Sequence, residues 1–230
     1  LMDNVYETLV RIDEDGSITP GLASSWEISD DARSYTFHLR EGVTFSNGDA
    51  FTAETAAFSI NYVREKWTNG ISAAMDPVAK ATATDEHTLK VRLKQPSNGW
   101  LWSMGTATGA MMTPNGMDNL AAQPVGTAPF EVSRFAPSEF VELRVRKNYW
   151  GKPAAHDVTV RYFPDTISSV NALQAGGVDV VWGVQNPELL DDVKDGIATE
   201  VGTTNGEVLL SMNNDRAPFD DPRVRQAVAY

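Results

Sequence analysis

Apolar and polar residues alternate along three stretches of the first half of the chain. Tyr35, Phe37 and Leu39 interleave with Thr36, His38 and Arg40, and the same pattern returns at Leu89, Val91, Leu93 and at Val141, Leu143, Val145. A period of two turns one face of a segment to the core and the other to water, so all three read as half-buried strands of one sheet. After the first of them, Asn47-Gly48 offers the positive backbone dihedrals of a tight turn and Thr52 stands where it can cap a helix. In that helix Ala56, Ile60, Val63 and Trp67 form one apolar stripe. Residues 97–126, rich in Gly, Ser, Thr, Met and Asn, read as irregular with one short helix.

From Val158 the pattern changes to strand and helix in turn. VTVRYF is a strand; Asp165 or Thr166 caps a helix carrying Ile167, Val170 and Leu173, which stops at Gly176-Gly177. VDVVW, almost continuously apolar, reads as a buried strand of the parallel kind. Asn186-Pro187 opens the next helix with Leu189, Leu190 and Val193 inward, Gly196 ends it, and EVLLSMN is a third strand. Successive crossover units imply an α/β layer. The chain thus divides into a mostly β insertion, about 23–149, and an α/β part made by the remainder.

Composition narrows the function classes. Nineteen basic and thirty-one acidic residues give a net charge of -12, which disfavours nucleic acid and anionic lipid as partners. Arg144, Arg146 and Lys147 are the one basic cluster, and alternation puts two of the three on one exposed strand face, which reads as solvated. With no cysteine there is no disulfide, thiolate ligand or thiol nucleophile. His38, His87 and His156 stand far apart, without metal-ligand spacing. The acidic pairs Asp30-Asp31, Asp191-Asp192 and Asp220-Asp221 fall at turns and helix ends, where Asp serves as a cap. Neither a nucleophile elbow nor a phosphate-cradling loop is present. What remains is a set of aromatic and small polar residues at strand ends: Trp182 and Gly183 close one strand, and Met212, Asn213 and Asn214 close the next. In an open α/β sheet those ends border the ligand crevice.

The order of segments then resembles a known family. YETLV, DGSITPGLASSWEISDDARSYTFHLREGVTFSNGDAFTAETAAFSINYV, PVGTAPF, RKNYWG, LQAGGVDVVWG and NNDRAPFDDPRVRQAVAY are similar to the solute-binding proteins, family 5, that deliver oligopeptides, dipeptides or nickel chelates to ABC importers. The resemblance implies an α/β fold, the first lobe of a periplasmic-binding-protein type II-like (cluster C) clamp with an inserted, mostly antiparallel β subdomain. Its expected layout is residues 1–22 and 150–215 as ligand-binding lobe, 23–149 as insertion and 216–230 leading toward a second lobe. It implies no catalysis and no cofactor or metal. Its partners would be a small solute, foremost a peptide, and the membrane permease subunits, with the protein a monomer on the periplasmic or extracellular face, lipid-anchored or free. A sensor or chaperone-like module on the same fold is the alternative. By the resemblance, Trp182 with Gly183 lines the cleft, Leu209, Met212 and Asn213 lie on the strand entering it, and Thr108, Gly109 and Met111 lie on a segment that approaches ligand. Nickel-chelate binders resemble one another in an arginine on that segment, where Ala110 stands here. The family's Gly-Thr-Gly-Pro is Gly126-Thr127-Ala128-Pro129.

Overall fold

A computed structural model describes residues 2–68, 70–190, 193, 196–202 and 210–229. The chain forms two compact units, residues 1–164 and 165–230. The first opens with a hairpin of β1 (Val10–Ile12) and β2 (Ile18–Pro20). Next come β3 (Ala23–Ile28) and β4 (Ser34–Leu39), helix α1 (Ala53–Lys66), a 3-10 turn Gly70–Met75, then β5 (Val78–Ala83) and β6 (Thr88–Leu93). These strands make one antiparallel sheet in the order β3-β4-β6-β5. The alternation dictates the result: Tyr35, Phe37, Leu39, Leu89, Val91 and Leu93 all go inside, each such burial stabilising by about 1.5–3 kcal/mol. Helix α1 packs against β5 and β6 with Ala56, Ile60 and Val63 buried. Its start is a reciprocal cap, the Thr52 hydroxyl accepting from the Thr55 amide while the Thr55 hydroxyl accepts from the Thr52 amide.

A short α2 (Trp100–Ser103) and 3-10 turns at Ala107–Gly109 and Pro114–Gly116 fill the stretch read as irregular. Trp100 enters the core with its ring 4.8 Å from that of Tyr35. Strands β7 (Phe130–Ala136), β8 (Phe140–Val145) and β9 (Val158–Arg161) make a second, three-stranded antiparallel sheet. The third alternating segment therefore joins its own hairpin neighbours and not the sheet of the first two, since β8 is saturated by β7 on one edge and β9 on the other. VTVRYF is a strand, as its pattern predicts, but an antiparallel partner of β8 in place of the start of a parallel crossover. This sheet spans the 149/150 boundary expected between insertion and lobe.

The stretch around Asn47-Gly48 is scaffold. Gly48 has φ +91°, and the Phe45 amide donates to the Asp49 carbonyl at 2.8 Å, closing the loop. The Asp49 carboxylate then ties the loop to a distant segment: one oxygen accepts from Thr113 Oγ1 (2.6 Å), Asn47 Nδ2 (2.9 Å) and Asn115 Nδ2 (3.1 Å). The Thr113 bond foremost, then that of Asn47, holds the carboxyl below its ordinary value of 3.8. A depressed pKa stabilises the fold fully above the ordinary value and loses that contribution as pH falls through the lowered one. Asp49→Asn is therefore expected to cost about 1–2 kcal/mol near neutrality, with the gap from wild type narrowing below the carboxylate range. Urea titrations across acidic pH measure it.

In the second unit Asp165 caps α3 (Thr166–Gln174), accepting from the Ser168 amide at 2.6 Å, and the helix stops before Gly176 at φ +74°. Pro187–Leu190 is a 3-10 turn where a longer helix is predicted, and most of its continuation lies outside the described residues. Residues 178–182, predicted as a buried strand, pair with no strand among the described residues; Val180 is 77% and Trp182 96% exposed. Continuous apolarity makes a strand only where a sheet exists to receive it. Of EVLLSMN, Glu207, Val208 and Leu209 lie outside the described residues, and 210–213 carry no strand. The unit ends in α4 (Pro222–Ala229). Asp31 and Asp221 serve turns as expected, accepting from the Arg33 and Arg223 amides, whereas Asp191 and Asp192 lie outside the described residues. Among the described residues no helix is long and apolar enough to cross a membrane.

Candidate functional site

The predicted ligand-approaching segment is locked into the first unit. Its chain must turn so tightly that a Cβ on Gly109 would sit 2.0 Å from the Met104 carbonyl oxygen, which only glycine permits. The Thr108 hydroxyl donates to the Ile71 carbonyl at 3.1 Å, and the Met111 amide donates to the Glu7 carbonyl at 2.9 Å. Ser59 on α1 completes the clamp, its hydroxyl donating to the Met112 carbonyl and accepting from the Met112 amide, both at 2.7 Å. Thr108, Gly109, Ala110 and Met111 are consequently buried. The structure brings these residues together as one backbone wall.

Two buried charges of the first unit tie distant motifs together, and neither is among the expected site residues. Glu7, 4% exposed, accepts from the Tyr149 hydroxyl (2.8 Å) and Arg11 Nη2 (3.0 Å) on one oxygen and from Trp150 Nε1 (2.9 Å) on the other. The Arg40 guanidinium covers the Trp150 ring at 4.7 Å. Burial first, then the Glu7 charge and hydrogen bond, push the Tyr149 phenol up to about 12. Arg146, read as a member of a solvated basic face, is 3% exposed. It lies just past the end of β8, so strand alternation no longer governs it. Its guanidinium donates to the carbonyls of Gly126 (3.2 Å), Ala128 (3.0 Å) and Thr44 (2.7 Å). Burial lowers its pKa. Beside it, the 126–130 loop lies on the N-terminal segment so closely that a Cβ on Gly126 would stand 1.9 Å from the Val5 carbonyl oxygen. A signal for Glu7 existed: it is the one acid within the apolar run VYETLV, and an acid there is buried and needs donors.

In the second unit Trp182 presents a bare indole, and Gly183 beside it turns the chain at φ +78°. Met212 is half-buried; Asn213 is exposed, its side-chain oxygen accepting from the Asp215 amide at 3.0 Å. Leu209 lies outside the described residues. No group of three or more His, Cys, Asp or Glu side chains converges to hold a metal ion among the described residues. A shallow surface depression of the first unit is lined mainly by the apolar side chains of Phe135, Pro137, Tyr162 and Phe163.

Residues 17–230 match the family model of bacterial extracellular solute-binding proteins, family 5 (middle). The chain belongs to this family. Its fold is accordingly the α/β, periplasmic-binding-protein type II-like lobe, here with antiparallel sheets. Among curated relatives, the chain is 30% identical to the nickel-binding periplasmic protein of Escherichia coli (strain K12), over 98% of its own length and 46% of the relative's. It is 29% identical to the glutathione-binding protein GsiB of the same strain, with the same coverage. Among solved structures, the solute-binding protein MoaA of A. tumefacien R10 in complex with mannopinic acid superposes with a TM-score of 0.88 at 28% identity, covering 99% of this chain and 49% of that one. The chain spans about half the length of the curated relatives it matches.

Proposed function

We propose that this chain supplies one lobe of an extracytoplasmic receptor that holds a small solute, foremost a peptide, and passes it chemically unchanged to the membrane permease of an ABC importer. Membership of the solute-binding family over residues 17–230 carries this reading. In the proposed layout, residues 1–22 and 150–215 belong to the ligand-binding lobe, 23–149 are inserted, and 216–230 lead toward a second lobe; the receptor acts as a monomer. Trp182 is the residue we assign to solute contact first, with Gly183, Leu209, Met212 and Asn213 beside it. An indole left 96% exposed gains by stacking on a ligand, since its large apolar face is otherwise in water. Thr108, Gly109 and Met111 act through the backbone they fix. Peptide stands ahead of nickel chelate because the position of the chelate binders' arginine is the small, buried Ala110.

Calorimetry on the intact protein with dipeptides, tripeptides including glutathione, nickel chelates and mannopinic acid tests the reading. A peptide is expected to bind, and Trp182→Ala to weaken binding about tenfold, or about 1.4 kcal/mol, with the thermal midpoint unchanged. Binding of a nickel chelate alone would overturn the cargo, and unchanged affinity in Trp182→Ala would overturn the assignment of that residue.

A further inference from the structure

Asn-Gly is the dipeptide in which a backbone amide most readily attacks the preceding side-chain amide, because glycine has no Cβ to hinder the approach of its nitrogen. The chain contains five: Asn47-Gly48, Asn69-Gly70, Asn98-Gly99, Asn115-Gly116 and Asn205-Gly206. Asn69, Asn205 and Gly206 lie outside the described residues. The remaining three share their chemistry and differ in what surrounds them.

Two of them are held. Asn47 donates through Nδ2 to Asp49 Oδ2 at 2.9 Å and accepts on Oδ1 from the Asp49 amide at 3.1 Å, while the Gly48 amide donates to the Phe45 carbonyl at 3.0 Å. Asn115 donates to Asp49 Oδ2 at 3.1 Å, the Gly116 amide donates to the Thr113 carbonyl at 3.0 Å, and Gly116 is packed against Val125. In both, nucleophile and electrophile are engaged elsewhere, and the loop that carries them is fastened by the Asp49 carboxylate. Asn98-Gly99 has none of this. Asn98 is exposed, and among the described residues neither its side chain nor the Gly99 amide has a hydrogen-bond partner. A long bond from the Trp100 amide to the Ser97 carbonyl, 3.4 Å, spans the turn, and the Gly99 carbonyl accepts from the Ser103 amide and hydroxyl, both at 3.0 Å, which leaves the Gly99 nitrogen and the Asn98 side chain themselves unheld. The space where a Gly99 Cβ would stand is empty to 4 Å.

The geometry points to Asn98 as a site of spontaneous covalent modification by deamidation. The Gly99 nitrogen attacks Asn98 Cγ and forms a C–N bond. The Asn98 amide group leaves as ammonia, taking the proton lost from the Gly99 nitrogen, and a cyclic imide remains. One water then opens the imide. Breaking the new bond leaves aspartate at position 98; breaking the original peptide bond leaves isoaspartate, with the main chain rerouted through the side-chain carbon. Water is the only co-reactant. Either product adds a negative charge, and the second lengthens the backbone immediately before α2, whose Trp100 is wedged against Tyr35. The product therefore forms next to a core anchor, at the start of the segment that leads to Thr108 and Met111.

The test is to hold the folded chain in mildly alkaline buffer at physiological temperature and follow each site by peptide mass spectrometry with electron-transfer fragmentation. Fragmentation is needed because Asn98 and Asn115 fall in one tryptic peptide. Conversion at Asn98 is expected to run about tenfold or more faster than at Asn47 and Asn115, as the held sites must first break net-favourable hydrogen bonds. In concentrated urea the three rates should converge. Gly99→Ala, which has room and a φ of -92° that alanine accepts, should slow Asn98 about tenfold while the chain stays folded. Folded-state conversion at Asn47 or Asn115 that matches Asn98, or a rate difference that persists in urea, would overturn the inference.

Discussion

Arg146→Met is expected to lower the stability of the chain by about 3 kcal/mol, measured by urea unfolding followed through tryptophan fluorescence. Methionine keeps much of the apolar stem but removes the guanidinium that serves the carbonyls of Gly126, Ala128 and Thr44. Each buried carbonyl left without a donor costs about 1–3 kcal/mol, and release of the buried cation offsets part of the sum. Arg146→Lys should fall between, since one ammonium on a flexible stem cannot reach three carbonyls in the geometry of a planar fork. The loss should appear locally as well, as faster proteolysis in the 126–130 loop. A change below about 1 kcal/mol, within the range of ordinary surface substitutions and modest defects, would show that the guanidinium does not clamp this loop.

Glu7→Gln is the companion experiment, with an expected cost of about 2–4 kcal/mol. Three donors converge on the two carboxylate oxygens. An amide offers one oxygen, so in either orientation its NH2 group faces at least one of the Tyr149, Arg11 or Trp150 donors. A second readout separates this from a general packing defect. The Tyr149 phenol is held at about 12 by burial and by the Glu7 charge, so removing the charge should lower its titration midpoint, visible as tyrosinate absorbance. The raised pKa also sets a sign for alkaline stability. The contribution is complete below the ordinary value of 10.0 and is lost as pH rises toward about 12, so the wild-type chain should weaken across that interval and the Glu7→Gln chain less steeply. An unchanged tyrosinate titration would separate Glu7 from Tyr149 and sink the account.

Local chemistry was legible wherever neighbours in sequence are also neighbours in space. Thr52 caps α1 and Asp165 caps α3 because a cap needs only the next three residues. The faces of β4 and β6 follow from alternation, and Asn47-Gly48 turns because Gly48 can hold φ +91°. The same logic misplaces Arg146: two residues beyond Arg144 it continues the alternation, but the strand has ended and three carbonyls from two distant loops wait for it. For the candidate site, the sequence marks Trp182 as an apolar residue at a strand-like terminus. It carries no sign that Thr108 and Met111 are buried, since that depends on Ser59, Ile71 and Glu7.

The ordered motifs of the sequence by themselves determine the family, the helix caps, the strand faces and the absence of thiol chemistry. Only the tertiary structure decides which charges are interior and which glycines are obligatory. Among the described Asn-Gly pairs it also separates the two that are shielded from the one that is open. The physical reason is range: caps, turns and alternation are settled within a few residues. The partners of Glu7 and Arg146, by contrast, arrive from as far as 143 and 102 residues along the chain.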